Sequence, residues 1–198
     1  MLYQIHRYPA DLIDVVRLEG GRRLVIRPVL PQDADLTRAF FGSLPAADRY
    51  DRFMSPMRSL PPELVKRFTD VDYDDHLALV GELIEDGQET VVAEARYARL
   101  AGDPAAAEFA VSVAEAWQGN GLATLLLGKL ARRAASSGIR RIVGETLATN
   151  ARMLHLARKA GFAVRPSPGA RGIMLLEKAI EAGPSERPGA DDARAFAC

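Results

Sequence analysis

The chain has 198 residues, a length typical of one domain with at most a small appendage. Hydrophobic residues make up 48% and charged residues 26%, which argues against wholesale disorder. The 26 Lys and Arg residues balance 26 Asp and Glu residues, so the chain lacks the basic excess of proteins that bind nucleic acid or an anionic membrane. A single cysteine, Cys198, excludes a disulfide framework, a cysteine-ligated zinc site and an iron–sulfur cluster.

The chain shows no membrane or export signal. No apolar run approaches the roughly 18–20 residues that span a bilayer. Residues 1–7 lack the basic-then-apolar order of a secretory signal. We therefore predict a soluble, cytoplasmic protein that has neither a membrane nor a nucleic acid as its partner.

The first half of the chain predicts one strand, three helices and an antiparallel hairpin. Residues 1–21 form a short N-terminal arm that ends at the turn signal Gly20-Gly21. Periodicity and turn residues then predict a strand over 23–27, a helix capped by Asp33 and running to Phe41, and, after the interruption at Pro45, a second helix that runs through Tyr50 to about Met54. A helix opened by Pro61-Pro62, an acidic loop over 70–75, and strands over 76–84 and 90–97 follow. The Asp86-Gly87 pair between the last two strands is typical of a hairpin turn.

The second half changes to strand–helix alternation. It predicts a strand over 107–114, a helix over 122–136 with Leu122, Leu125, Leu126, Leu130 and Ala134 on one stripe, a strand over 141–147, a helix over 151–160 capped by Asn150, and strands over 162–164 and 173–176. The elements together predict an α+β (mixed α/β) domain over residues 22–180. The segment 181–198 is dominated by Gly, Pro, Ser and charged residues, and we predict a disordered tail there.

The segment most informative about function is the junction between the strand over 107–114 and the following helix. The first N–H groups of a helix lack partners and carry the positive end of the helix dipole. Gly119 and Gly121 have no side chain to keep an anion away from those groups. A diphosphate is the ligand that suits such a turn. On these residues alone, however, a plain tight turn between strand and helix is the favoured interpretation.

Two nucleotide-binding motifs fit this junction poorly. A dinucleotide fingerprint would use Gly119-x-Gly121 and Glu145 on the next strand, but Thr124 stands where Gly or Ala is needed. The preceding strand also lacks the continuous apolar run of a central parallel strand. The first lysine after the turn, Lys129, lies inside the helix, which excludes a Walker motif.

The pattern Gln118-x-x-Gly121-x-Ala123 after a strand resembles the coenzyme A diphosphate loop of the GNAT acetyltransferase superfamily. Asn150 followed by Gly161-Phe162 is similar to that family's next strand–helix unit, and Ile26-Arg27-Pro28 to its first strand. The resemblance covers about residues 22–179. It implies a central, mostly antiparallel sheet with splayed strands and flanking helices, and acetyl-CoA as the acyl donor, with no metal.

Shorter motifs look like the acetyltransferase module of bacterial Pat-type protein lysine acetyltransferases. They are His6-Arg7-Tyr8-Pro9, Arg52-Phe53-Met54-Ser55-Pro56, Asp72-Tyr73-Asp74 and Ala107-Glu108-Phe109-Ala110-Val111. This closer resemblance implies a protein lysine as the acceptor. It also suggests acyl-CoA synthetase-like enzymes as protein substrates.

The resemblance further implies which residues bind the donor. The diphosphate loop comprises Gln118, Gly119, Asn120, Gly121, Leu122 and Ala123. The backbone of Val111, Ser112 and Val113 is expected to pair with the pantetheine amides, and one N–H there to stabilise the developing oxyanion. Asn150 is expected to hydrogen-bond the pantetheine arm. An ordinary helix N-cap is the alternative role for Asn150, and the two roles are compatible.

The transfer requires a base, because the attacking amine must be neutral. A lysine pKa of about 10.4 makes the neutral amine cost about 4.6 kcal/mol at pH 7. Glu108 is our candidate general base, since strand alternation gives its face two small neighbours, Ala110 and Ser112, which leave room for an amine. Pat-type enzymes have a glutamate base at the matching position. A solvated charge at a strand end is the alternative.

The chain departs from the family pattern at one position. Many members place a tyrosine, the general acid, where this chain has Ala157. His155 is the nearest replacement in sequence, whereas His6 and His76 are predicted to be surface or loop residues. Cys198 lies in the predicted tail, which disfavours an acyl-cysteine route. We therefore predict direct transfer within a ternary complex, without a metal.

Three functions remain open at this point. The first is acetylation of protein lysines, and the second is acetylation of a small amine such as a polyamine or an aminoglycoside. The third is a coenzyme A-binding module that senses acyl-CoA or binds another protein with little turnover. The acidic loop over 70–75 is either a docking site for a lysine-bearing surface or an ordinary solvated turn.

Overall fold

A twisted sheet of eight strands, flanked by five helices, forms the body of the protein in a computed structural model that describes residues 8–18, 21–85 and 87–181. The strands are β1 (Asp14–Arg17), β2 (Arg23–Pro28), β3 (His76–Glu85), β4 (Gln88–Leu100), β5 (Asp103–Val113), β6 (Arg141–Leu147), β7 (Ala163–Pro166) and β8 (Ile173–Ala179). The helices are α1 (Ala34–Ser43), α2 (Ala46–Phe53), α3 (Pro62–Thr69), α4 (Leu122–Ser136) and α5 (Ala151–Lys159).

The strands lie in the order β1-β2-β3-β4-β5-β6-β8-β7. Every neighbouring pair is antiparallel except β5 and β6, which run parallel and are joined through α4. A crossover helix is what a parallel connection requires, whereas hairpins suffice for the antiparallel pairs. The predicted mixed α/β class with a mostly antiparallel sheet is confirmed.

Each face of the sheet carries its own hydrophobic core. On one face, Leu126, Leu130 and Ala134 of α4 pack with Leu154 of α5 against the sheet. Leu127 is also fully buried, whereas the predicted stripe residue Leu125 is only partly buried against this core. On the opposite face α1 packs against β3 and β4, and α1 and α3 share a further small core.

Strands β5 and β6 separate along their length. They pair over only three positions, from Ala106 opposite Arg141 to Glu108 opposite Val143. Strand β4, in contrast, stays paired with β5 as far as Val113. Beyond Glu108 the other edge of β5 therefore faces a gap between β5 and β6, and this gap is the predicted splay.

The described part of the predicted arm belongs to the sheet. A 3-10 turn, Ala10–Leu12, leads into β1, which pairs antiparallel with β2. Asp14 forms an ion pair with Lys129 of α4 (2.7 Å between Oδ2 and Nζ), and the ring of Tyr8 packs edge-on against Tyr73. Strand β1 has only four residues, which is too short for a sequence pattern to predict a strand. Its pairing with β2 forms it instead.

Several predicted boundaries shift in the structure. Strand β5 already begins at Asp103, whereas α2 begins directly after Pro45 and ends at Phe53, close to the predicted end. The strand predicted over 162–164 is displaced to β7, which begins at Ala163. By contrast, α4 and β6 have the predicted bounds. The end of α4 was predictable because Gly138 follows closely.

Asp33 occupies the predicted N-cap position of α1, but its side chain makes no capping hydrogen bond to that helix. Its carboxylate accepts hydrogen bonds from the Arg27 guanidinium (2.6 and 3.1 Å) and from the backbone N–H of Leu30 (2.8 Å). Arg27 also donates to Glu82 at 2.6 Å. Asp33 is buried, and a charge out of water is stabilised far more by an adjacent guanidinium than by a helix terminus.

The acidic loop over 70–75 is tied down by its own carboxylates. Asp72 Oδ1 accepts hydrogen bonds from the N–H groups of Asp74, Asp75 and His76 (2.8–2.9 Å). Asp74 pairs with Arg133, and Asp75 with Arg99. These contacts favour the turn interpretation over a docking site. His76, predicted as a surface or loop residue, is instead the half-buried first residue of β3, with Nε2 3.3 Å from Arg96.

Some predictions fall outside the described residues. They concern His6, the Gly20 part of the first turn signal, Asp86, and the predicted tail beyond Glu181 with Cys198. Within the residues that the structure does describe, no helix has the length and apolar character needed to cross a membrane.

Candidate active site

A cavity of about 520 Å³ occupies the gap between β5 and β6. Its walls come from the separated half of β5, the turn before α4, the C-terminal half of β6, and one side each of α2 and α5. The cavity therefore exists because two parallel strands stop pairing after three positions. A strand edge without a partner presents backbone donors and acceptors that a ligand can use.

Alternation along β5 assigns its side chains to the two faces as predicted. Phe109, Val111 and Val113 pack into the core beneath α4 and α5. Glu108, Ala110 and Ser112 therefore point to the opposite face, where α2 lies. The Glu108 side chain is exposed, lines the cavity, and accepts no hydrogen bond from the described residues.

The backbone of β5 also alternates between its two edges. The N–H of Ala114 donates to Val92 of β4, whereas the carbonyl of Ala105 accepts from Arg140, next to β6. Because successive residues point to opposite edges, the backbone groups of Val111 and Val113 face the gap. The backbone of Ser112 faces β4 instead, and its side chain lines the cavity.

The turn before α4 presents bare backbone to the cavity. Gly119 and Gly121 have φ of 79° and 77°, and a Cβ at either position would meet no atom within 4 Å. The N–H groups of residues 119–121 donate to no acceptor in the described part of the chain. Leu122 is buried in the core and anchors the start of α4, and Ala123 lies in its first turn. The turn therefore leaves a set of unpaired N–H donors at the N-terminus of α4, which is the positive end of its helix dipole.

Gln118 is the centre of a side-chain cluster at this turn. Its Nε2 donates to the gap-facing carbonyl of Val113 (3.0 Å) and to Asp48 Oδ2 of α2 (3.0 Å). Arg152 of α5 donates to Gln118 Oε1 (2.5 Å) and also pairs with Asp48. The cluster joins α2, the turn and α5 around the cavity. Sequence reasoning missed Asp48 and Arg152, because no local pattern distinguishes them from ordinary helix-surface charges.

Asn150 lies at the opposite wall of the cavity. Its Oδ1 accepts a hydrogen bond from the N–H of Met153 (2.9 Å), so it is the N-cap of α5 as predicted. The residue also lines the cavity. The capping bond uses only the side-chain oxygen, which leaves the amide NH₂ as a donor.

The structure supplies no aromatic hydroxyl at the family's acid position. Ala157 is fully buried and is absent from the described cavity lining. The neighbouring core is filled by Phe109 and Phe162, whose rings lie 4.8 Å apart. His155 is exposed on α5 and lines the cavity.

A buried ion pair lies beside the cavity on the α2 face. Glu94 and Arg96 of β4 are joined at 2.6 Å, and the guanidinium of Arg96 also lies over the ring of Phe68. Burial raises the pKa of Glu94, but Arg96 outweighs this and holds that pKa below its ordinary value. Arg52, at the end of α2, lines the cavity next to this pair. Among the residues that the structure describes, no group of three or more metal-ligating side chains converges.

Comparison with known proteins identifies the family. The family model described as acetyltransferase (GNAT) family matches residues 45–162. Acetyltransferase PA5475 of Pseudomonas aeruginosa is 32% identical over 154 residues, which cover 78% of this chain and 82% of that protein. Acetyltransferase Pat of Mycolicibacterium smegmatis is 30% identical over 146 residues, 74% of this chain but only 43% of that protein.

Solved structures agree with this assignment. The GNAT domain of S. lividans PAT superposes with a TM-score of 0.79 at 32% identity, covering 87% of this chain and 99% of that one. A cAMP-binding acyltransferase from Mycobacterium smegmatis matches with a TM-score of 0.58 at 27% identity, over 87% of this chain and 49% of that one. The predicted resemblance to Pat-type enzymes is thus confirmed. The chain belongs to the GNAT acetyltransferase family and is an acyl-CoA-dependent N-acetyltransferase.

Proposed function

We propose that this protein transfers the acetyl group of acetyl-CoA to the side-chain amine of a protein lysine, with Glu108 as general base. One observation carries the proposal: Glu108 is the last residue of β5 that pairs with β6, and its exposed carboxylate opens into the cavity that begins there. The base is thus next to the gap in which a thioester would lie.

The residues around the gap fit coenzyme A. The N–H groups of residues 119–121 and the first turn of α4 offer donors to a diphosphate, and the two glycines leave the approach open. The gap-facing backbone of Val111 and the N–H of Val113 suit the pantetheine amides, whereas the Val113 carbonyl already accepts from Gln118. Asn150 offers its NH₂ group from the opposite wall. The donor supplies an activated carbonyl carbon and a thiolate leaving group. The role of Ser112 is confined to its side chain, because its backbone faces β4.

Glu108 would receive the proton of the acceptor amine. In the transfer a C–N bond forms, the C–S bond breaks, and the sulfur leaves with the electron pair. The proton lost by the amine goes to the Glu108 carboxylate, a base positioned in the site that accepts it as the C–N bond forms. A neutral lysine in water at pH 7 costs roughly 4.6 kcal/mol, so a positioned proton acceptor assists the attack. The small side chains of Ala110 and Ser112 keep the adjacent space open. A backbone N–H of β5 directed into the gap is suited to stabilise negative charge on the carbonyl oxygen.

The leaving group needs little assistance. A thiol has a pKa of about 8.5, so its thiolate is a good leaving group near neutral pH. This explains how a site with Ala157 at the tyrosine position can operate. His155 stays a predicted replacement for the acid, supported by its place in the cavity lining.

The acceptor class is supported by charge and by resemblance. Carboxylates of Asp51, Glu108 and Glu145 line the cavity, and such groups attract a cationic amine. The Pat-type motifs favour a protein lysine, and acyl-CoA synthetase-like enzymes are the protein substrates that the resemblance suggests. The cytoplasmic location stays a prediction from the sequence.

The proposal is tested by incubating the purified protein and its Glu108→Gln variant with labelled acetyl-CoA and a cell extract, and by mapping the acylated lysines. Lysines acetylated by the wild type but not by the variant are the expected result. Transfer only to a panel of polyamines and aminoglycosides would identify a small-amine enzyme. Acetyl-CoA binding without transfer to any acceptor would identify a sensor and overturn the proposal.

A further inference from the structure

Arg52 differs from the other enclosed arginines of the site and the adjacent core. Two of those have carboxylate partners, Arg27 with Asp33 and Arg96 with Glu94. Arg152, at the exposed rim of the cavity, pairs with Asp48. Arg52 is half-buried at the end of α2, yet its guanidinium has neither a hydrogen-bond acceptor nor an ion-pair partner within the described chain. A guanidinium carries five N–H donors, so it leaves a large hydrogen-bonding capacity unused.

The surroundings of Arg52 offer an aromatic ring and the more distant charge of Glu94, but no hydrogen-bond acceptor within the described residues. Its guanidinium lies 4.9 Å from the ring centre of Phe53, and Leu60 and Phe68 line the small cleft on its other side. Glu94 also lines that cleft, but its carboxylate is already held by Arg96 at 2.6 Å. Burial lowers the pKa of Arg52 to about 10, so the side chain still carries its charge at neutral pH. A half-buried charge without a direct partner is less well stabilised than one with a carboxylate beside it, so an acceptor brought into the cavity would stabilise it.

Arg52 also borders the reaction chamber. It lines the main cavity together with Glu108 and Ser112, and its charge interacts with that of Glu108. It therefore stands on the same side of β5 as the proposed base. Water can hydrate the guanidinium while the cavity is open, and a molecule that displaces this water gains by offering an acceptor in its place.

We propose that Arg52 binds a carboxylate carried by one of the two reactants. The inference rests on the proposed acetyl transfer and refines its substrate class. The acceptor is the favoured source, because Arg52 and Glu108 lie on the α2 face of β5, whereas the donor is expected along the backbone edge that faces the gap. A lysine with an aspartate or glutamate beside it would present its amine to Glu108 and its carboxylate to Arg52. A planar guanidinium binds a carboxylate through two parallel hydrogen bonds.

The test compares matched acceptors in the wild type, Arg52→Lys and Arg52→Met. A lysine peptide with a neighbouring glutamate is compared with the same peptide carrying glutamine. A second pair, 6-aminohexanoate and hexylamine, asks the same question of small amines. Donor arms use succinyl-CoA and butyryl-CoA with the glutamine peptide. Arg38→Met is the control, because Arg38 lies on α1, outside the described cavity lining, with Asp35 as its partner.

The measured quantity is the ratio of kcat/KM between the two members of a pair. This ratio is unaffected by a change in the fraction of folded enzyme. We expect the wild type and Arg38→Met to favour the carboxylate-bearing acceptor by roughly tenfold or more, as hydrogen bonds to charged groups allow. Arg52→Met should bring the ratio close to one through a higher KM for that acceptor, with acetyl-CoA affinity unchanged. Arg52→Lys should retain part of the preference.

Two results would overturn the inference, and they differ from failure of the proposed function. One is a ratio near one in the wild type for both acceptor pairs and for the donor pair. The other is a preference that Arg52→Met leaves intact. A preference confined to succinyl-CoA and lost in Arg52→Met would assign the carboxylate to the donor. If no acceptor is turned over, the proposed function fails, and calorimetric binding of the two peptides to both proteins with coenzyme A present still decides the role of Arg52.

Discussion

At the scale of single residues, the site depends on where β5 loses its partner. Glu108 is still paired with β6, and Phe109 is the first residue beyond the three paired positions, which we call the seam between β5 and β6. A carboxylate at this position can reach the cavity because its own strand holds it there, while the neighbouring side chains on its face are small. Its role as base is therefore open to a direct kinetic test.

Glu108→Gln should lower kcat by roughly 10²–10⁴-fold with little change in acetyl-CoA affinity, because general-base catalysis contributes about that much. The residual rate should rise with pH as the free amine population increases, which a pH profile measures. Glu145→Gln is the matched control, since Glu145 also lines the cavity but accepts a hydrogen bond from Ser167 (2.7 Å). A large loss in the Glu145 variant alone would assign the base to β6.

His76 makes the stability of the fold depend on pH. Burial, and then the charge of Arg96, lower the pKa of His76 from 6.5 to about 4. Asp72 and Glu94 act in the opposite direction and Arg67 in the same direction. Between these two values the unfolded chain binds a proton that the native protein does not. The stabilisation is therefore complete above 6.5 and is lost as the pH falls toward 4.

The prediction is that His76→Gln flattens the decline in Tm over this pH interval. The control is His155→Gln, at an exposed position of α5. Scanning calorimetry at a series of pH values measures the effect. An equally steep decline in the His76 variant would show that other groups control acid stability. Glu94 contributes only at lower pH, because the stabilisation from its lowered pKa is lost below the ordinary value of 4.5.

At the scale of elements, the turn before α4 combines strand end, glycines and helix start. Gly121 adopts a positive φ that other residues reach only at a cost of roughly 1–2 kcal/mol. Gly172, between β7 and β8, has nearly the same φ (78°) and equally open space, but lies outside the described lining of the cavity. The two glycines thus share their backbone conformation and open surroundings, but only Gly121 lines the cavity.

Gly121→Ala and Gly172→Ala should therefore lose similar amounts of unfolding free energy. Only Gly121→Ala should weaken coenzyme A binding, by roughly tenfold or more, because its methyl group lies among the donors meant for the diphosphate. Calorimetric titration with coenzyme A measures the difference. Equal coenzyme A affinities in the two variants would show that the diphosphate does not bind at this turn.

Packing at the seam between β5 and β6 depends on another glycine, Gly144 of β6. A Cβ on Gly144 of β6 would lie 2.7 Å from Cε1 of Phe109, a contact that real side chains do not make. Phe109 is itself held against Phe162 in the core. The absence of a side chain at residue 144 thus lets the β5 ring fill the space beneath the seam.

Gly144→Ala should lower the free energy of unfolding by about 1–3 kcal/mol, as overpacked cores do. The loss should be smaller in a Phe109→Leu background, which a double-mutant cycle measures. Gly128→Ala in α4 is the control, since only Arg132 lies near its added methyl group, at 3.9 Å. That change should be neutral or stabilise the helix by roughly 0.5–1 kcal/mol. Identical effects at the two glycines would refute the packing argument.

At the scale of the whole molecule, the sheet brings distant segments to one cavity. Helix α2, the turn at Gln118 and helix α5 meet there. Asp48 of α2 bonds to Gln118, which is 70 positions away in the sequence, and to Arg152, which is 104 positions away. The bounds of α4 and β6, the cap at Asn150 and the glycine turn before α4 were predictable, because each depends on neighbours within a few residues. The fold class was predictable from the order of these elements. The β5 alternation that exposes Glu108 follows from the same local rule.

The amino-acid sequence alone determined the element order, the glycine turn, the family resemblance and the candidate base, since periodicity and turn chemistry act over short stretches of chain. Only the tertiary structure decided that β1 joins the sheet, that Asp33 pairs with Arg27 instead of capping a helix, and that Asp48, Gln118 and Arg152 form one cluster. It also decided that Arg52 lies beside Glu108 without a carboxylate partner among the described residues. These contacts join residues that are far apart in the sequence. They depend on which elements pack together once the strand order is set, and no local sequence pattern contains that information.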